Sequence, residues 1–300
     1  MKLLVTGGAG FIGSSLVDRA LDLGHDVDVI DDLSSGSLAN LADARARRSG
    51  ALRFHHSDLG ADGVDALIVR RAPDAVIHLA GDTRWRHELP PLRDRVAREL
   101  AATAQVIDAA ARAEVGKVVV VGHVGAAGVE DAWQRLVYEL AWAMRDTTGI
   151  PLTGVDLPTV YGVRQRPGRR RSVVATFADR IARGSPCVVH GGGAQRRDLV
   201  HVDDAVDALL AATESGDGLR IAIGTGAAMS VEELVSALAA AAGVDAETVP
   251  GAARPDEPGD VVVDPARAGM YLRWAAQVDR HAALAEVMVS AAAGTPGRVD

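Results

Sequence analysis

The sequence predicts a doubly wound parallel α/β sheet with a smaller mixed α/β domain beside it, and three observations predict it. Short apolar runs alternate with helix-length stretches through the first half of the chain, the pattern of βαβ crossovers and so of parallel strands. The first such unit carries Gly7, Gly10 and Gly13 between its strand and its helix, and its second strand closes on Asp31. Further on, from roughly Ser172 to Ser290, helices such as Val231–Ala242 mix with short strands. The domains are therefore expected at 1–160 and 161–300, with exchange of segments between them allowed.

Leu3, Leu4 and Val5 are too few and too β-rich for a helix and read as a buried strand. The glycines then open a helix running to about Leu23, which Gly24 ends. Val27 to Ile30 form the second strand. Glycine lets the backbone turn tightly and approach a pyrophosphate without Cβ contacts. The free N–H groups and positive dipole end of the helix stabilise that anion. Asp31 lies about twenty residues on, where a carboxylate can accept both ribose hydroxyls of an adenosine. Strand, glycine turn, helix, strand and acid together are the context of a dinucleotide site. A phosphate on the 2′ oxygen would meet the charge of Asp31, and residues 32–37 hold no Arg or Lys to offset it, so NAD is expected over NADP.

Next come a polar helix over Ser37–Arg48, a third strand at Leu52–His55 and then Ser57-Asp58-Leu59. His55 and His56 are adjacent on a strand and face opposite ways, so no metal site is expected there. Ala75 to Gly81 read as a fourth strand and a small-residue turn. That strand should lie beside the first, with Ala80 and Gly81 at the strand ends where open α/β sheets bind ligands. A helix from about Leu92 to Ala113 leads to the fifth strand, Lys117–Val121.

Composition narrows the class. Of 300 residues 48% are apolar and 24% charged, ordinary for a core-forming chain, and a net charge of −8 disfavours nucleic acid or anionic membrane as partner. Cys187 is the only cysteine, so no disulfide framework exists. No apolar run approaches the roughly 18 residues of a membrane span. The apolar start at Met1–Val5 is broken by Gly7 to Gly13 and Asp18 before a signal-peptide core forms, and a cytoplasmic protein is expected. Only Lys2 and Lys117 are lysines, and only Tyr138, Tyr161 and Tyr271 are tyrosines.

The motifs TGGAGFIGS, DDLSSG, SDL and VIHLAG resemble those of the extended short-chain dehydrogenase/reductase family, which includes NAD-dependent sugar-nucleotide epimerases and dehydratases. VYGVRQ at Val160–Gln165, the stretch Pro186 to Asp204 and the turn Arg254 to Asp260 are similar to later motifs of that family. The resemblance implies a Rossmann domain binding NAD and a second part binding a UDP- or TDP-linked sugar. It implies that Gly7, Gly10, Phe11, Ile12, Gly13, Asp31, Asp32, Leu33, Ser34, Ser35, Gly36, Asp58, Leu59, Leu79, Ala80 and Gly81 line the dinucleotide. Arg197 and Arg254 match arginines that hold the substrate diphosphate, a role suited to the planar guanidinium fork, and Ser172 is placed in the same substrate set. For Arg197 a salt bridge to Asp198 or Asp203 is the other reading. The loop Arg164–Arg171, with five arginines, is expected as a solvated segment near the cleft.

The chain departs from the family where the reaction should occur. Relatives carry Ser or Thr after the fifth strand and Tyr-x-x-x-Lys on the next helix, with tyrosine as proton carrier. Here His123 stands at the Ser/Thr position, and Glu130 and Gln134 fall at the Tyr and Lys positions. Four residues beyond each tyrosine lie Trp142, Gln165 and Ala275, so no register restores the motif. Glu99 replaces an asparagine, and Asp156-Leu157-Pro158 replaces an arginine and aromatic pair. His123 is the expected acid/base, Glu130 its orienting carboxylate, and Thr83, with Asp82, the next candidate. A retired enzyme that only binds its nucleotides is the competing expectation. Trp133, Leu136, Val137, Leu140 and Met144 recur at helical spacing; relatives dimerise through this helix, which implies a homodimer, and burial against the sheet is the plainer reading.

Overall fold

The computed structural model describes residues 1–47, 50–81, 92–125, 129–168, 172–254 and 258–294, with the side chains of 92, 93, 95–97 and 129–131 left out. The first half alternates β1 (Lys2–Thr6), α1 (Phe11–Asp22), β2 (Asp26–Asp31), α2 (Ala42–Arg47), β3 (Leu52–His56), α3 (Val64–Arg71) and β4 (Ala75–His78). It continues with α4 (Leu92–Arg112), β5 (Lys117–His123), α5 (Val129–Thr148) and β6 (Leu152–Leu157). Then follow β7 (Thr159–Tyr161), α6 (Val173–Ala182), β8 (Cys187–His190), β9 (Arg196–Arg197), β10 (Leu199–His201) and α7 (Val202–Glu214). The chain closes with β11 (Arg220–Ala222), β12 (Met229–Ser230), α8 (Val231–Ala242), β13 (Thr248–Gly251), α9 (Ala266–Leu272) and α10 (Arg280–Gly294).

Seven parallel strands form the central sheet in the order β11-β6-β5-β4-β1-β2-β3. The direction of winding reverses between β1 and β4, which opens a crevice at their carboxyl ends. Consecutive residues of β1 feed opposite faces, as the two-residue period of a strand requires. Leu3 and Val5 join Leu16, Val17, Val206 and Leu209 on the side of α1 and α7. Leu4 joins Ile68, Val106 and Ile107 on the side of α3 and α4. With both faces covered, strands such as Val118–Val120 are apolar throughout.

Chain from beyond residue 200 completes this sheet. α7 packs beside α1, and β11 pairs with β6. The remaining elements build a second core in which Val174, Phe177, Leu234, Leu238, Leu284 and Val287 bring α6, α8 and α10 together. The pairs β8–β13 and β9–β12 edge that core. α8 starts at Ser230 with a capping box to Glu233 and ends at Gly243 in the left-handed conformation.

The polar helix expected over Ser37–Arg48 is shorter and split. A 3-10 turn spans Leu38–Leu41 and α2 only Ala42–Arg47. Tertiary contacts cause the break: Leu41 is fully buried, and Asn40 Nδ2 donates to the Ala9 carbonyl at 2.9 Å. The stripe on α5 also divides. Trp133 is buried, Val137 and Met144 pack on the α3/α4 core, and Leu136 is 52% exposed. Among the described residues no helix is long and apolar enough to cross a membrane.

Candidate active site

The turn between β1 and α1 is too tight for a side chain at Gly13. A Cβ on Gly13 would lie 2.2 Å from the Gly7 carbonyl oxygen and 2.7 Å from Gly8 Cα. Helix α1 begins at Gly10 with no side-chain cap and no acid in its first turn. Its leading amides and dipole therefore point into the crevice and favour an anion. Asp31 closes the far side of this turn. Its Oδ2 accepts from Ala9 N at 2.9 Å and its Oδ1 from Leu33 N at 2.8 Å, so the carboxylate is held in one orientation.

One cavity of about 600 Å³ runs from this turn across the strand ends, within the range of small-molecule sites. Asp31, Asp32, Ser34, Ser35, Asp58 and Leu59 line one end. Gly7, Gly10, Phe11, Ile12, Gly13, Leu79, Ala80 and Gly81 line the middle. His123, Gln134, Tyr138, Trp133, Pro158 and Ser172 line the other parts of its wall. Arg98, paired with Asp58 at 3.4 Å, and Arg164, paired with Asp18 at 2.7 Å, contribute positive charge.

His78 forms the floor of the cavity between Thr6 and Thr103. Thr103 Oγ1 donates to the Glu99 carbonyl at 2.9 Å, so it accepts from His78 Nε2 at 3.2 Å. Thr6 Oγ1 accordingly donates to His78 Nδ1 at 2.8 Å and accepts from Ala80 N at 3.3 Å. Burial pushes the His78 pKa down to about 4, so the ring is neutral at pH 7. Its role is to hold Ala80 at the end of β4.

Beyond the floor lies a second polar cluster. Gln134 and Tyr138 on α5 both reach Asp156 on β6, and Arg220 on β11 donates to the other oxygen of that carboxylate. Burial, together with the charge of Asp156, raises the Tyr138 pKa well above its ordinary value and keeps its proton in place. Trp133 Nε1 donates to Glu99 Oε2 at 2.5 Å and joins α5 to α4. His123, the last residue of β5, stands beside Leu157 in register, half-buried on the cavity wall.

The chain matches the NAD dependent epimerase/dehydratase family over residues 3–134 and 131–224. It is 34% identical to a UDP-glucose 4-epimerase of Mycolicibacterium smegmatis, over 93% of this chain and 94% of that one. The chain belongs to the NAD dependent epimerase/dehydratase family. The fold is similar to that of a Thermus thermophilus UDP-glucose 4-epimerase solved with NAD, with a TM-score of 0.89 and 25% identity over 98% of this chain and 100% of that one. It is also similar to a Thermotoga maritima UDP-glucose 4-epimerase solved with UDP-glucose, with a TM-score of 0.87 and 27% identity over 97% and 98% of the two chains.

Within this epimerase/dehydratase fold, two residues expected on the dinucleotide stand behind the wall rather than on it. Leu33, at φ +59, turns its side chain into the core beneath α1, and Gly36 backs against Ala9. The substrate arginines are likewise not on this cavity. Arg197 is buried and donates to the carbonyls of Gly259 at 2.7 Å, Pro258 at 3.0 Å and Arg196 at 2.9 Å. The salt bridge to Asp198 does not form, because that carboxylate accepts from Thr225, Gly226 and Val263. Arg254 is exposed and donates to His190 Nε2 at 2.9 Å. Thr83 and Asp82 lie outside the described residues. Glu130 lies at the start of α5, with its side chain also outside them.

Gln134, Tyr138, Asp156, His78 and Arg164 are cavity or supporting residues to which sequence reasoning assigned no role. Tyr138 was excluded by the absence of a lysine four residues on. Only its contact with Asp156, which no spacing encodes, reveals its place.

Proposed function

We propose that this protein holds NAD and a UDP- or TDP-linked sugar in adjoining parts of one site and modifies the sugar by epimerase- or dehydratase-like chemistry with a non-standard acid/base set. The observation that carries this reading is the continuity of a single cavity from Asp31 and Asp58, past the glycine turn, to His123. The residues fit the cofactor: Gly7, Gly10 and Gly13 line the cavity at the uncapped start of α1, whose amides suit a diphosphate, and the fixed Asp31 carboxylate accepts ribose hydroxyls. The NAD and UDP-glucose held by the solved relatives support the same assignment. Bound NAD supplies a hydride acceptor and donor at its nicotinamide ring.

The chain's own residues supply the rest. His123, at the carboxyl edge of β5, takes and returns the proton of a sugar hydroxyl; an imidazole does this near neutral pH. Glu130 is assigned as the carboxylate partner of His123 and Thr83 as a further candidate for the proton transfer. Arg197 and Arg254 are assigned to the substrate diphosphate, a role in which each exchanges its present partners, the carbonyls of Pro258 and Gly259 and the ring of His190, for phosphate oxygens; Ser172 lines the cavity at the start of α6. The protein works in the cytoplasm as a homodimer packed through α4 and α5, where Leu136 remains exposed.

Mass spectrometry of small molecules released from the purified protein tests the reading. NAD together with a nucleoside diphosphate sugar is the expected result. Absence of any dinucleotide, with no binding on addition, would overturn it. Bound NAD that no sugar nucleotide reduces or turns over would leave a binding protein instead.

A further inference from the structure

We infer that Arg166 donates to a phosphate oxygen of a nucleoside diphosphate bound in the cavity, and that Arg164 positions it to do so. The diphosphate belongs to the dinucleotide or to the sugar nucleotide. The inference rests on the reading of the cavity given above.

Among the described residues three arginines line the cavity: Arg98, Arg164 and Arg166. Arg98 is paired with Asp58 and Arg164 with Asp18. Arg166 is exposed and has no hydrogen-bond or ion-pair partner among the described residues. Arg197 and Arg254 stand off this wall and are engaged elsewhere. Arg166 is therefore the arginine in place to meet a ligand.

The turn that carries it is anchored on both sides. Arg164 lies at φ +71, a conformation that glycine adopts without strain and arginine does not. Its side chain holds it there. Nη1 lies 2.7 Å from Asp18 Oδ2 on α1, and Arg47 on α2 holds the other oxygen of Asp18 at 3.2 Å. Gln165 Nε2 donates to the Val160 carbonyl of β7 at 2.9 Å. Gly168 N donates to Thr176 Oγ1 on α6 at 3.1 Å. Pro167 fixes its own φ and disfavours a helical backbone at Arg166. The backbone of Arg166 is thus set before a ligand arrives, and only its side chain stays uncommitted. Display of a solvated side chain requires no strained turn tied to α1.

The anchors lie on α1 and α6, whose starts, Gly10 and Ser172, line the same cavity. The leading amides of α1 already favour an anion there. A guanidinium fork matches a pair of phosphate oxygens, and the diphosphate is the anion that a dinucleotide and a sugar nucleotide share.

Isothermal titration with ADP, ADP-ribose, UDP and TDP tests this on the parent, Arg166→Ala, Arg164→Gly and the double variant. Arg45→Ala, at an exposed arginine of α2 that does not line the cavity, controls for the loss of charge alone. Arg166→Ala should weaken ADP and ADP-ribose by about tenfold if the dinucleotide supplies the phosphate, or UDP and TDP if the sugar nucleotide does. Arg164→Gly leaves the turn free of strain but without its anchor and should weaken the same ligands. Added to Arg166→Ala it should cost little more, because the two act as one unit. A double loss equal to the product of the single losses would overturn the role of Arg164. Unchanged affinity of Arg166→Ala for all four ligands, or an equal loss in Arg45→Ala, would overturn the inference while the cavity reading stands. A parent that binds none of the four overturns that reading itself.

Discussion

Gln134 and Tyr138, one turn apart on α5, donate to a single carboxylate oxygen, Oδ1 of Asp156, at 2.8 and 2.9 Å. The arrangement ties α5 to β6 behind the reaction end of the cavity, and Arg220 balances the charge from β11. Removing one donor and removing the shared acceptor should differ in cost. Tyr138→Phe leaves Asp156 paired and should cost about 1 kcal/mol. Asp156→Ala strands two buried donors and a half-buried guanidinium and should cost about 2–4 kcal/mol. Urea denaturation of both variants checks this; equal losses would show that the shared oxygen is not the keystone.

The second prediction follows from His78, whose pKa burial pushes down to about 4. The unfolded chain takes up this proton near 6.5 and the folded protein does not until about 4. Stability is therefore fully present above pH 6.5 and is lost as pH falls toward 4, by up to about 3 kcal/mol. His78→Gln cannot titrate, and its denaturation midpoint should fall less steeply across that window. Parallel pH profiles for parent and variant would remove His78 as the cause.

NAD should bind more tightly than NADP. The Asp31 carboxylate is fixed by two backbone amides and cannot turn from a 2′-phosphate, so like-charge repulsion is unrelieved. Titration with both cofactors decides the point, and equal affinity would remove Asp31 from the ribose.

Arg197→Ala should weaken UDP or TDP binding by about tenfold or more, the contribution of a charge-assisted hydrogen bond to phosphate. Its donors now rest on the carbonyls of Pro258 and Gly259, so the same guanidinium also holds that backbone in place. A melting curve run beside the titration separates the two effects. Unchanged nucleotide affinity in a folded variant would end the assignment.

His123→Ala should retain NAD while turnover of the sugar nucleotide drops about 10²-fold or more, the usual contribution of a general acid/base. Unchanged turnover would transfer the role to another residue at the end of β4 or the start of α5.

Sequence by itself determined the parallel sheet and the glycine-turn end of the cavity. Gly7, Gly10, Gly13, Asp31 and Ala80 act through backbone geometry that short local patterns encode, and they line the cavity; Asp58, which the family resemblance implied, lines it too. Tertiary structure alone decided the other half. Gln134, Asp156 and Arg220 come from α5, β6 and β11, and they meet only because β11 pairs with β6 after α7 has crossed the sheet. It also decided that Leu33 turns inward and that Arg197 spends its donors on carbonyls, because burial and competing partners set a side chain's direction and no local pattern records them.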